Sequence, residues 1–186
     1  MAALIYVSAG GMYDRLAGGA RRAPRVIERA FAREGTNASA EVVRVAELDG
    51  AIAAAIATFP AEEAHARGWA FQRLTLRSIP PWRWPTSLWL YWVGTRGASQ
   101  PPNQCLYIDA IATEEGKRRR GAARLLLEDA ERRARELGLR QLALDTALDN
   151  KAARALYLGA GFDEVAYKPA GRGLPGFVAL VKELPG

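Results

Sequence analysis

Read as apolar and polar positions, the chain is most regular in its second half. Leu106-Tyr107-Ile108-Asp109-Ala110-Ile111-Ala112-Thr113 is a strand-like run. After it, Ala123, Leu126, Leu127, Ala130, Ala134 and Leu137 recur at helical spacing, and Gly138 stands where a C-cap belongs. The acid-first pairs Glu128–Arg132, Asp129–Arg133 and Glu131–Arg135 support that helix. Gln141 to Thr146 predicts the next strand. It should run near parallel to the first, because a helix-length crossover joins them. Asn150 caps a short predicted helix, Lys151 to Ala160, which Gly161 ends. Phe162 to Tyr167 and Phe177 to Lys182 read as closing antiparallel strands.

The first half is less even. Leu4 to Val7 reads as a short strand, and Met12 to Ala20 and Pro24 to Arg33 as helical pieces. Glu41 to Glu47 alternates as a strand does. Asp49-Gly50 is a hairpin signal, so Ala51 to Thr58 is assigned to the return strand although its alanines favour a helix. Ala61 to Leu76 predicts a helix with Glu62 and Glu63 in its first turn and Arg73 and Arg77 near its end. The segment 79–93 breaks the pattern. It holds Pro80, Pro81 and Pro85, which predict extended geometry, and four of the five tryptophans, Trp82, Trp84, Trp89 and Trp92. Two readings stay open for it: a packed flap or oligomer contact, and a wall of an acceptor-substrate pocket. Thr95 to Asn103 is a polar loop. No repeat, low-complexity tract or dividing linker interrupts the 186 residues, so a single domain over 1–186 is expected.

Composition narrows the chemistry. A net charge of +6 suits an anionic partner, whether nucleic acid, an acidic membrane surface or a phosphorylated cofactor, and suits plain solubility as well. One cysteine, Cys105, excludes an internal disulfide framework and reads as a small core residue. One histidine, His65, argues against a histidine-based metal site and against a Ser-His-Asp triad, so no metal is expected. The first residues lack the basic region of a signal peptide, and no apolar run approaches the roughly 20 residues of a membrane span. A cytoplasmic protein is the expectation.

Between the central strand and its helix lies Arg118-Arg119-Arg120-Gly121-Ala122-Ala123-Arg124. A strand, a tight basic turn with a glycine and a helix start leave successive backbone N–H groups unpaired, and the helix N-terminus adds partial positive charge. Such a turn is an anion site suited to a pyrophosphate. Gly121 lets the backbone approach phosphate closely, and the amides of about Arg119 to Arg124 are the donors. The arginine run alone also fits a solvated or nucleic-acid-binding patch. A nucleotide P-loop is excluded, since Gly116-Lys117 is followed by Arg118 and not by Ser or Thr.

Arg118-x-x-Gly121-x-Ala123 resembles the acyl-CoA pyrophosphate turn of the GNAT superfamily of N-acyltransferases, [QR]-x-x-G-x-[GA]. Downstream, Asn150-x-x-Ala153-x-x-Leu156-Tyr157-x-x-x-Gly161-Phe162 is similar to a second signature of that superfamily. The two occur in the right order, and the resemblance covers about Leu106 to Tyr167. Glu115 stands where many members have proline before the turn, and Ala123 replaces the turn's second glycine, which the pattern admits.

The resemblance implies an α/β GNAT fold: a mixed sheet of about six to seven strands, helices on both faces, and a splayed near-parallel central pair. It implies that residues 105–186 bind acetyl-CoA and that 1–104 form the acceptor side. Pantetheine would bond to main chain at Ile111, Ala112 and Thr113. A backbone N–H near Ile111 would polarise the acyl carbonyl. Arg118, Arg119, Arg120, Gly121, Ala122, Ala123 and Arg124 would hold the pyrophosphate. Asn150, Ala153 and Tyr157 would touch the cofactor, and Lys151 and Arg154 its phosphorylated ribose.

The implied reaction moves an acetyl group to a primary amine, on a small molecule or a peptide, by direct attack in a ternary complex. Asp109 is the expected base or substrate anchor; alternation places it on one face with Tyr107 and Ile111, and a structural aspartate is the other reading. Tyr157 is the expected general acid, against the reading of a core aromatic. Two further functions remain open. One is a GNAT-fold acyl-CoA sensor or scaffold without turnover. The other is a nucleic-acid-binding protein, which would need arginines spread over an open face with exposed aromatics. A homodimer is compatible with the tryptophan segment, and no association with membranes is expected.

Overall fold

Six strands form one sheet: β1 (Val43–Leu48), β2 (Ala51–Pro60), β3 (Cys105–Thr113), β4 (Gln141–Ala147), β5 (Asp163–Lys168) and β6 (Phe177–Glu183). The computed structural model describes residues 1–9, 11–97, 101–171 and 176–185. Strand order is β1-β2-β3-β4-β6-β5, and every neighbouring pair is antiparallel except β3 and β4. The helices are α1 (Ala2–Ser8), α2 (Met12–Ala17), α3 (Ala23–Phe31), α4 (Ala64–Ser78), α5 (Trp84–Gly97), α6 (Ala122–Glu136) and α7 (Lys151–Gly159). One apolar cluster unites α6 and Tyr157 of α7 with one sheet face, through Leu106, Ile108, Leu142, Leu144, Val178 and Leu180. A second unites α1, α2, α3 and α4 with the other face, through Ala55, Ala57, Phe59 and Ala110. This is the α/β architecture, helices on both faces and parallel central pair that the sequence implied.

Turn chemistry explains the β1–β2 hairpin. Asp49 and Gly50 both have positive φ, 54° and 73°, as a tight two-residue hairpin turn requires. β2 is a strand in spite of its alanines because its residues from Ala53 to Phe59 are all buried between β1 and β3. Tertiary context overrides propensity there. At α6 the Schellman-type stop is present: Gly138 has φ 70°, and the N–H of Leu139 donates to the carbonyl of Ala134 at 2.8 Å. Of the three predicted ion pairs on this helix, Glu131–Arg135 forms at 3.7 Å. Arg132 instead bonds Asp129 and lies 3.7 Å from Glu136, and Arg133 reaches across to the Thr58 hydroxyl at 3.0 Å.

Three expectations are corrected. Leu4 to Val7 is not a strand but part of α1, packed on α3 with Ile5 fully buried. A four-residue apolar run carries too little periodicity to separate the two. The segment 79–93 is not extended, because Pro81 opens a 3₁₀ turn and Pro85 lies in the first turn of α5. A helix start needs no N–H from either proline. Finally, residues 95–97 belong to α5, so the loop from Thr95 begins later than predicted, and its residues 98–100 lie outside the described ones.

The feature that matters most for function is where the parallel pairing stops. β3 and β4 pair from Cys105↔Gln141 to Ile108↔Leu144 and no further, although β3 continues to Thr113 and β4 to Ala147. On its other edge β3 stays paired with β2 as far as Thr113. A wedge-shaped gap therefore opens beside residues 109–113.

Candidate active site

The gap exposes backbone with a definite polarity. The N–H of Glu114 donates to the carbonyl of Ala53 on β2 at 2.8 Å. Alternate residues of an antiparallel strand direct both backbone groups to the same neighbour. Ala112 and Ala110 therefore bond toward β2, and Ile111 and Thr113 direct their N–H and C=O into the gap. Those are the groups that an inserted extended chain needs.

At the mouth of the gap the chain turns through Arg118 to Gly121 into α6. Arg119 (φ 60°) and Gly121 (φ 85°) are both left-handed. No side chain caps the helix, and none of the amides from Arg119 to Arg124 donates to another group among the described residues. A Cβ added to Gly121 would meet nothing within 4 Å, so there is open space beside the backbone at that residue. Arg118, Arg119, Arg120, Gly121 and Arg124 are exposed, Ala123 is partly so, and Ala122 is buried in the core. The arginines are not equivalent. Arg120 is tied to Asp49 at the tip of the β1–β2 hairpin at 2.8 Å, and Arg124 lies 3.4 Å from Glu128. Arg118 and Arg119 make no ion pair among the described residues.

Around the fork of the gap sits a polar corner. β3 bulges there: Ala57 pairs with Ala110 and Thr58 with Ile108, which leaves Asp109 as the extra residue. The bulge changes the parity of the strand. Tyr107 and Ala110 pack with the cluster of α1 to α4, and Ile108 and Ile111 with the α6 cluster. Asp109 thus does not share a face with both Tyr107 and Ile111, as simple alternation predicts. Its Oδ2 accepts a hydrogen bond from Nδ2 of Asn37 at 3.1 Å, on the side of the α1–α4 cluster. Burial pushes the Asp109 carboxyl up to about 6, and the bond from Asn37 opposes that rise. Across the fork Tyr107 donates to Oδ2 of Asp145 at 3.1 Å. A cavity of about 110 Å³ beside this pair is lined by Tyr107, Leu144, Asp145, Val165 and Ala179, among others.

Asn37 and Asp145 were missed in the sequence. Asp145 had a signal: it is the polar residue that ends the buried run Leu142 to Leu144, one position past the last residue paired with β3. Asn37 had none, being 72 positions from its partner. Its loop is held by Arg67 of α4, which donates to the Thr36 carbonyl at 3.3 Å and pairs with Glu41 at 2.5 Å and Glu63 at 2.6 Å.

The second motif lies on α7. Asn150 is the N-cap, its Oδ1 accepting from the Ala153 N–H at 3.2 Å. Tyr157 is 5% exposed and packs on Phe162 with ring centroids 5.8 Å apart. Its hydroxyl makes no hydrogen bond among the described residues, and burial raises its pKa. It sits in the core cluster together with Ala153, Leu156 and Ala160. Arg154 is bound to both oxygens of Glu164, at 2.7 and 3.0 Å, so it ties α7 to β5. Cys105 is buried, which lifts its thiol to about 11 and leaves it inert at neutral pH. Among the described residues no group of three His, Cys, Asp or Glu is arranged to hold a metal ion. No helix among them is long and apolar enough to cross a membrane.

The acetyltransferase (GNAT) family model matches residues 15–162, most of the chain and all of the gap and turn. The chain belongs to the GNAT acetyltransferase family. Solved structures agree in fold. An N-acetyltransferase from Staphylococcus aureus Mu50 superposes with a TM-score of 0.73 at 21% identity, covering 97% of this chain and 92% of that one. A protein described as an acetyltransferase superposes at 0.68 with 19% identity, covering 99% and 93%. The IAA acetyltransferase of Bacillus cereus ATCC 14579 does so at 0.53 with 14% identity, covering 98% and 91%. A search of curated proteins finds no match.

Proposed function

We propose that this GNAT acetyltransferase moves an acetyl group from acetyl-CoA to a primary amine by direct attack in a ternary complex. The observation that carries the reading is the unbonded amide run from Arg119 to Arg124, beside a gap whose β3 edge is also unpaired. The diphosphate takes the amides, with Arg118 and Arg119 adding charge. Pantetheine lies along Ile111 to Thr113. The gap-facing N–H of Ile111 stabilises the oxyanion that develops on the thioester carbonyl. Asn150 and Ala153 at the start of α7, and Tyr157 beyond them, border the cofactor in this reading, which assigns 105–186 to the cofactor and 1–104 to the acceptor.

Asp109 is the proposed base. A carboxyl held near 6 is ionised at neutral pH, and it can accept the proton that the amine nitrogen loses as the neutral amine forms the C–N bond, directly or through water. Asn37 positions it. Tyr157 is the proposed acid for the leaving thiolate; its raised pKa keeps the phenol protonated, and its hydroxyl has no competing partner among the described residues. No metal enters this chemistry, and a cytoplasmic setting would supply acetyl-CoA.

The test is thiol release from acetyl-CoA against a panel of small-molecule and peptide amines, read beside direct binding of CoA. Amine-dependent thiol release supports the transferase. CoA binding with no release from any amine would leave the non-catalytic sensor. Absence of CoA binding would sink both.

A further inference from the structure

The strongest feature outside the site is the helical hairpin between β2 and β3. α4 and α5 run antiparallel, as their contacts show: Trp84 Nε1 donates to the Leu76 carbonyl at 2.9 Å, Gln72 Nε2 to Ser87 Oγ at 3.0 Å, and the Trp69 and Tyr91 rings lie 5.7 Å apart. The inner face of α5 is accounted for, since Leu90 and Val93 pack on Met12, Leu16 and Phe177. The outer face is largely exposed. Trp84, Leu88, Trp89, Tyr91, Trp92 and Thr95 fall on one side of the helix, away from buried Ser87, Leu90 and Val93. Trp69, Trp84, Trp89 and Trp92 are 41% to 46% exposed and Trp82 is 78% exposed. Between the helices runs an open groove of about 750 Å³, lined by His65, Trp69, Leu88, Trp89, Tyr91, Trp92 and Thr95. It shares no residue with β3, β4 or the phosphate turn, so these tryptophans do not wall the gap.

Charge says what covers this face. From Ala64 to Ile108 the sequence contains Arg67, Arg73, Arg77, Arg83 and Arg96 and no carboxylate at all. Arg67 is spent on Glu41 and Glu63. Arg73, Arg77 and Arg83 are exposed and make no ion pair among the described residues, and His65, Trp69, Arg73 and Arg77 form one i,i+4 row along α4. A second copy of the chain, joined about a two-fold axis, would set this cationic row against itself. A single-stranded nucleic acid needs cations interleaved with its stacking rings to follow the phosphates. Here the described exposed face of α5 up to Thr95 carries no cation, and the arginines lie apart on α4 and the turn after it. Aromatic residues on one surface and arginines along its border are the arrangement of an interfacial helix, with indole rings at headgroup depth.

We infer that the α4–α5 hairpin docks the protein on an anionic bilayer surface, with Trp82, Trp84, Trp89 and Trp92 at the headgroup boundary and Arg73, Arg77 and Arg83 against lipid phosphates. The contact is peripheral, it departs from the sequence-based expectation of no membrane association, and it is independent of the catalytic reading.

The experiment is co-sedimentation of the full chain with phosphatidylcholine vesicles, with and without phosphatidylglycerol, read alongside tryptophan emission. The expected result is at least tenfold stronger partitioning onto the anionic vesicles, with a blue-shifted emission. Arg73→Gln and Arg77→Gln, which leave the apolar face intact, should each weaken it about fivefold. Trp89→Ser with Trp92→Ser should abolish it at an unchanged thermal midpoint. Equal or absent partitioning on both vesicles would overturn the inference. So would tighter binding of a single-stranded oligonucleotide, or a dimer in solution that the double tryptophan substitution dissolves.

Discussion

The phosphate turn and the Asp109 corner flank the same gap, one beyond the end of β3 and the other where the gap begins, and they carry chemistry in opposite ways. At the turn the working groups are backbone amides, set by two left-handed residues, Arg119 and Gly121, with no side-chain cap. At the corner they are side chains, Asp109 and Asn37 and, across the fork, Tyr107 and Asp145, brought together by a bulge and by a loop from a distant part of the chain. The turn is open and unsatisfied; the corner is hydrogen-bonded and partly buried. A backbone site tolerates side-chain change except at its glycine. A side-chain site is sensitive at each group and to whatever holds that group in place.

Gly121→Asp should break the turn outright. It forces an L-residue to φ 85° and places a carboxylate where the diphosphate would lie. Calorimetry should find no measurable CoA binding, and an unchanged dissociation constant would remove the turn from the reading. Asp109→Asn should break the corner instead. It removes the base and leaves the backbone edge intact, so kcat/KM for the amine should fall by about 100-fold or more with CoA affinity unchanged. If KM alone rises, Asp109 anchors the ammonium and another group takes the proton.

How much of this was legible follows from the same contrast. The turn could be read from six residues because a backbone site depends on local geometry, which Gly121 and the strand–helix spacing encode. The Asp-Gly hairpin was legible for the same reason. The corner was legible only in Asp109. The bulge that reverses the parity of β3 leaves no local mark, and Asn37 meets Asp109 only because Arg67 of α4 holds the loop before β1. Pro81 and Pro85 misled in the opposite direction, since the same residue that breaks a helix interior is at home in a first turn.

Tyr157→Phe should lie between the two regions in effect. The leaving thiol is already acidic compared with an alcohol, so loss of the acid should lower kcat about tenfold, at the weak end of what proton transfer contributes. CoA affinity should not move, because the ring stays in its place against Phe162. Unchanged turnover would return Tyr157 to the core residues. Asn37→Ala tests the corner by its pH dependence. The base works deprotonated, so kcat/KM should fall as pH drops through about 6. The Asn37 bond lowers that pKa, so its removal should move the acidic limb to higher pH, with a smaller loss on the high-pH plateau from a base that is ionised but less well positioned. A limb that stays put would mean that Asn37 does not govern Asp109.

The smallest effects should come from the arginines of the turn, and they separate charge from backbone within it. If the amides do most of the holding, no single guanidinium is essential, and Arg118→Ala or Arg119→Ala should weaken CoA binding only about two- to fivefold, the scale of an exposed charge. Arg120→Ala should cost less still in cofactor binding, because its guanidinium already faces Asp49 across the hairpin tip. Salt sharpens the distinction: raising ionic strength should weaken wild-type binding and erase most of the difference between wild type and Arg118→Ala, since exposed charges are screened over about 10 Å at 0.1 M. A loss of 100-fold at Arg118 that persists in high salt would make the turn a side-chain site like the corner, and the contrast between the two regions would collapse.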